Sequence, residues 1–306
     1  MGWRQKMNAR LRDGRATNLA DRARLLKKLD RSPRDIDAMV ELSGVFTRLR
    51  RSRSAMKWAR IAYELNPIYA PSINRIGWAY LNAGEKNLAI RWFKEATDHN
   101  PHDPQLWLDL ANAYDVCENS SARFRVLKTA AKIFPQDPKV VNTVGRAYVD
   151  QASIDRRHYD KYGGCYDRKY LRVALPWYRR AADLDTRNAD RWHNLGWALC
   201  ELGSSEAIGV LKKAVKLEPR NHHHHYWLAS ALDDAGRRGE AIHEYKRAIF
   251  LKPDDEYARS SLGLIYADAG DFESANEQYR VLLKIDRSTA ARLNEHIKIK
   301  NGSRFR

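Results

Sequence analysis

Prolines at positions 67, 101 and 135 stand 34 residues apart, and those at 219 and 253 repeat the interval. A period of this length is the signature of a repeat architecture, in which each unit packs on its neighbours instead of around one central core. Other columns fall into register with the prolines. Twenty-four residues before each unit's closing position stands a small residue: Ser43, Gly77, Ala111, Gly145, Gly196 (with a one-residue deletion), Ala229 and Gly263. Three places further on comes an aromatic or leucine: Phe46, Tyr80, Tyr114, Tyr148, Leu199, Leu232 and Tyr266. Alanines recur at 55, 89, 174, 207, 241 and 275, and again at 62, 96, 130, 181, 214 and 248.

These columns describe two helices joined by a turn. Small residues belong where the two helices cross closely, because backbones approach there only without large side chains. Trp107, Trp192, Phe93, Tyr245 and Tyr279 then fill the spaces between units. Proline ends each second helix because it cannot continue one. Asp103-Pro104 and Asp137-Pro138 open the next helices as an N-cap followed by proline in the first turn.

The stretches "INRIGWAYLNAGEKNLAIRWFKEATDHNP" and "WHNLGWALCELG…EAIGVLKKAVKLEP" resemble the tetratricopeptide repeat (TPR) closely. Seven units in register cover residues 36–289. The resemblance implies an all-α fold, a right-handed α-solenoid of helix-turn-helix units with capping helices at both ends. Residues 1–35 form a basic N-terminal arm and capping helix, with Leu19, Ala23, Leu26 and Leu29 spaced as its apolar stripe. Residues 290–306 form a C-terminal capping helix and basic tail, with Leu293 and Ile297 turned inward. An insertion at about 151–168 interrupts the fourth unit, and Tyr159, Tyr162 and Tyr166 within it are candidates for a second contact surface.

The net charge is +17, and its placement is uneven. Residues 1–35 hold eleven Lys/Arg against four Asp, residues 287–306 hold six against one Glu, and the 251 residues between carry only +5. An anionic surface, nucleic acid or membrane, is therefore a partner to weigh at the termini. Trp3, Met7 and Leu11 lie at i, i+4, i+8 among Arg4, Lys6, Arg10 and Arg12, as in a short basic amphipathic helix. Three scattered cysteines fit a reducing compartment. The N-terminus lacks the apolar run of a secretory signal, so a cytoplasmic location is expected. No glycine-rich phosphate loop, HExxH, GxSxG or CxxC occurs, so no enzyme, cofactor or small-molecule substrate is expected.

Four consecutive histidines, His222–His225, open the first helix of the sixth unit. His225 takes the place that Trp107 and Trp192 hold in their own units. Successive helical residues point about 100° apart, so only His222 and His225 share a face within the run. Further ligands would have to come from His193 and Cys200, placed near His223. A polar first turn is the expectation, with no metal bound.

The resemblance also implies a concave ligand groove lined by the second, fifth, sixth, ninth, twelfth and thirteenth places of each unit. These places supply Asn74, Arg75, Trp78, Asn82, Asn112, Asn142, Arg146, His193, Asn194, Trp197, Tyr226 and Trp227, with Tyr257 beyond. Asparagine pairs with any extended backbone, and Trp and Tyr add apolar anchors with a polar edge. The C-terminal half of the groove carries Asp190, Glu201, Asp233, Asp234 and Asp268, which suit a neutral or basic peptide and repel phosphate. The function expected is a non-catalytic scaffold or adaptor holding a protein or peptide segment in this groove. The alternative is a binder of nucleic acid or membrane acting through the basic arms.

Overall fold

The computed structural model describes residues 3–154 and 168–303, with side chains described over 14–151 and 168–302. Among these residues the chain is all-α, with sixteen helices and no strand. It divides into two compact units, Met1–Thr143 and Val144–Arg306. Each is a solenoid of paired helices. Tyr159, Tyr162 and Tyr166 lie outside the described residues.

The first unit begins with α1 (Trp3–Arg31), which packs on α2 (Ile36–Arg48). α2 pairs with α3 (Ser52–Leu65), α4 (Ala70–Asn82) with α5 (Lys86–His99), and α6 (Pro104–Val116) with α7 (Ser120–Ile133). Each pair stacks on the next through α3 against α4 and α5 against α6. α8 (Pro138–Ile154) runs across the division between the units. The second unit holds α9 (Arg168–Leu184), then the pairs α10 (Ala189–Glu201) with α11 (Glu206–Leu217), α12 (His222–Asp234) with α13 (Arg238–Leu251), and α14 (Glu256–Asp268) with α15 (Phe272–Ile285). α16 (Arg287–Ser303) packs on both α14 and α15.

The small-residue column does what close crossing requires. A Cβ added at Gly196 of α10 would lie 2.5 Å from Leu211 Cγ of α11, and one at Gly263 of α14 would lie 2.6 Å from Leu293 Cδ2 of α16. The alanines at 55, 89, 174, 207, 241 and 275 are all buried. Several helix starts are capped by side chains. Asp103 accepts from the Gln105 N–H, Asp137 from Lys139 and Val140, and Asp255 from Ala258. The turns close with a residue in the left-handed region at one fixed place: glycine at 84, 203, 236 and 270, but Arg50 and Glu118 in two of the pairs.

α1 keeps half of the expected stripe, with Leu29 buried and Leu26 partly buried against the same core, and departs from it at Leu19 and Ala23. It is a single helix of 29 residues, and among its described side chains the buried ones are Leu25 and Leu29, packed with Leu42 and Phe46. Leu19 is 43% exposed and Ala23 is exposed too. The face is chosen by where α2 lies against the last turns of α1, which the stripe in α1 alone does not encode. Leu293 and Ile297 are buried, with Leu293 over Gly263.

Candidate functional site

In the first unit the first-helix faces of α4 and α6 meet at one carboxylate. Asp109, 8% exposed, accepts from Asn74 Nδ2 at 2.8 Å and Trp78 Nε1 at 3.1 Å through one oxygen, and from Gln105 Nε2 at 2.9 Å through the other. Asn74 itself is 9% exposed, and its Oδ1 has no hydrogen-bond partner among the described residues. Arg75 lies across Gly44 of α2, where an added Cβ would come within 3.3 Å of its guanidinium carbon. Burial lowers the Arg75 pKa while the charge of Asp109 opposes that shift. Asn74 and Trp78 thus converge on Asp109, whose charge also acts on Arg75. Asn82 and Asn112 are exposed, and Asn142 is buried and not free. Sequence reasoning passed over Asp109 and Gln105, although they stand at the sixth and second places of their unit.

The second unit presents aromatic rings beside carboxylates. Trp197 of α10 meets Trp227 of α12 edge-on at 6.3 Å between centroids. Tyr226 touches Trp227 at 5.2 Å, Tyr245 at 5.9 Å and Tyr257 at 6.4 Å. Tyr257 is 64% exposed, and the first three of these rings are partly exposed. Alongside stand Glu201, Asp233 and Asp234. Burial is the largest cause raising the pKa of each, and for Glu201 and Asp233 the Asp234 charge adds to it. Trp197 offsets part of the Glu201 shift by a side-chain hydrogen bond. The same surroundings push the Cys200 thiol up to about 12, burial first, so it stays a thiol, with Sγ 3.9 Å from the Trp227 carbonyl oxygen. Among the described residues no ion pair neutralises Glu201, Asp233 or Asp234. Asp268, by contrast, is bound by His296 at 2.9 Å and Lys300 at 2.8 Å. Arg146 is exposed; Asn194 is partly exposed and not free.

The histidine run is native helix with three separate tasks. His222 Nδ1 lies 2.7 Å from Asp255, the N-cap of α14. His225 Nε2 lies 3.0 Å from the Pro219 carbonyl oxygen. Trp107 Nε1 makes the same six-residue reach to Pro101, Trp192 Nε1 to Thr186, and Arg259 Nε to Pro253. His225 also faces Glu244 at 2.6 Å through Nδ1, as Arg259 faces Gln278. The histidine that reaches His193 is His224, with the two Nδ1 atoms 3.1 Å apart, and not His223, which is exposed. The expected grouping of His223 with His193 and Cys200 is corrected accordingly: His224 turns toward α10 because its position on the helix faces that neighbour. Burial, aided by His224 and His223, pulls His193 down to about 3, so its ring is neutral at physiological pH.

The comparisons follow this architecture. A family model described as tetratricopeptide repeat matches residues 203–256 and 229–290, and a second so described matches 70–103. The chain is 24% identical over 201 residues to BBSome complex member bbs-4 of Caenorhabditis elegans, covering 58% of this chain and 43% of that protein. It is 24% identical over 276 residues to the peroxisomal targeting signal receptor of Eremothecium gossypii, covering 82% and 48%. The chain thus spans about half the length of these curated relatives. Among solved structures it is similar in fold to the APC/C hetero-tetramer Cut9-Hcn1, with a TM-score of 0.61, 15% identity, and coverage of 90% of this chain and 52% of that one. It is similar also to MamA, with a TM-score of 0.50, 21% identity, and coverage of 60% and 97%. The chain carries tetratricopeptide repeats over residues 70–103 and 203–290. Among the described residues no helix is long and apolar enough to cross a membrane.

Proposed function

We propose that this chain is a non-catalytic interaction scaffold that holds a neutral or basic protein segment on the first-helix face of its second unit. The observation that carries this reading is the row Trp197, Trp227, Tyr226 and Tyr257 beside Glu201, Asp233 and Asp234, three carboxylates with no ion-pair partner among the described residues. Aromatic rings give large contact area with few rotors, and partly desolvated carboxylates gain from an arriving cation. In the first unit, taken by itself, exposed Asn82 and Asn112 are able to hydrogen-bond an extended backbone. A relative named for a targeting signal supports the reading of a bound segment.

Fluorescence anisotropy with labelled Lys/Arg-rich, neutral and Asp/Glu-rich peptides tests it. The basic peptides bind, weaken with added salt, and lose roughly tenfold or more in affinity in Trp197→Ala and in the pair Glu201→Gln with Asp234→Asn. Equal binding of the acidic peptides, or indifference to both variants, overturns the reading.

A second reading rests on the basic ends, +7 over residues 1–35 and +5 over 287–306. Here the chain binds nucleic acid or an anionic membrane through its termini. Binding to anionic vesicles or duplex DNA that vanishes on deleting residues 1–15 and is untouched by Trp197→Ala selects this reading.

A further inference from the structure

A ligand gap remains in the second unit, apart from the aromatic row. His224 is 1% exposed, yet its Nε2 has no hydrogen-bond partner among the described residues. A buried polar atom left unpaired is costly and calls for an explanation. The atom in front of it is Glu218 Oε2, 3.5 Å away and beyond good hydrogen-bond distance. Glu218 is the C-cap of α11, and Asp190 lies in the first turn of α10. One ligand atom each from Asp190, Glu218 and His224 lies within 4.8 Å of the other two.

We propose that Asp190, Glu218 and His224 form a binding site for a divalent first-row transition metal such as zinc. Two ligands on one tetrahedral zinc stand ~3.3 Å apart, given metal–ligand bonds of about 2.0–2.1 Å. The His224–Glu218 separation of 3.5 Å is already close to that. Both carboxylates are exposed, so small rotations bring them in. The imidazole–carboxylate donor set suits zinc and its neighbours better than calcium or magnesium, which favour oxygen alone.

The far side of His224 is arranged as a metal-bound histidine requires. With Nε2 on the metal, Nδ1 carries the proton and donates to an acceptor behind it. His193 Nδ1 stands there at 3.1 Å, placed to accept. His193 is thus a positioning residue. The bound ion would join the start of α10, the end of α11 and the start of α12 and would leave a coordination position open to water. This departs from the expectation that the histidine run binds no metal. The further ligands weighed there were His193 and Cys200, whereas the two that join His224 here are Asp190 and Glu218.

Isothermal titration of the metal-stripped full chain with zinc alone tests the site, read beside Asp190→Asn, Glu218→Gln and His223→Gln. The altered carboxylates are exposed, so these variants keep the fold, which circular dichroism checks. One saturable site is expected, weakened roughly tenfold or more by either carboxylate variant and unchanged by His223→Gln. Zinc raises the Tm of the parent chain and not of the carboxylate variants. Absence of saturable uptake, or uptake that both carboxylate variants leave intact, overturns the site. Uptake lost in His223→Gln alone overturns it too, by moving the metal to the exposed end of the run.

Discussion

At the scale of single residues, His225 shows how a residue can be odd in type and ordinary in role. Its ring N–H reaches back six residues to a carbonyl, as Trp107, Trp192 and Arg259 do in their own pairs. The place was legible from the columns, since His225 aligns with the tryptophans. Its second contact, to Glu244, was not, because that partner sits on the other helix of the pair. His225→Leu strands both acceptors in a buried site and is expected to cost about 2–4 kcal/mol by urea denaturation. His225→Trp restores the backbone tie and costs less; combining it with Glu244→Gln narrows the loss further. Asp109 is the opposite case. Its place in the inward column was visible, but a carboxylate there reads as ligand chemistry until the structure shows three neighbouring side chains already bound to it.

At the scale of helices, the small-residue column was fully legible, and its physical meaning is testable in pairs. Replacing a helical glycine by alanine ordinarily gains about 1 kcal/mol through propensity. At Gly196 the added methyl meets Leu211 at 2.5 Å, and overpacking of about 1–3 kcal/mol outweighs that gain. Gly209, on exposed α11 surface, has nothing within 4 Å of an added Cβ. Gly196→Ala is therefore expected to lower Tm and Gly209→Ala to raise it; the same sign in both would refute the crossing argument. The stripe of α1 was less legible. Leu19 and Leu25 each head a plausible face, and only the position of α2 selects between them.

At the scale of the whole molecule, charge governs the response to acid. The caps Asp35, Asp271 and Asp286 are held below the usual carboxylate range, by Lys28, by the Ser274 side chain and by the Thr289 backbone N–H respectively. A depressed carboxylate gives stability that is present above its unfolded value, about 3.9, and lost as pH falls through the folded value. Glu201, Asp233 and Asp234 are raised, so the folded chain takes up their protons first, and acid relieves them. The expected outcome is a urea midpoint that falls below about pH 4, with a shallower fall when the three caps are changed to Asn. An unchanged slope in that variant would show that the caps do not set the acid limit. Where the charges lie was legible by counting; which ones are left unpaired was not, because Asp268 and Asp234 hold the same place in successive pairs and only Asp268 is met by α16.

The first helices α2, α4, α6, α10, α12 and α14 all have 13 residues. Glu201 closes α10 and Asp234 closes α12, so the two carboxylates mark the same height on successive helices. Packed helices stand about 8–10 Å apart, and an extended chain advances ~3.4 Å per residue. Under the proposed function, the face would act as a ruler with a tick about every three residues, and a bound segment would be selected by the interval between its basic side chains as much as by their number.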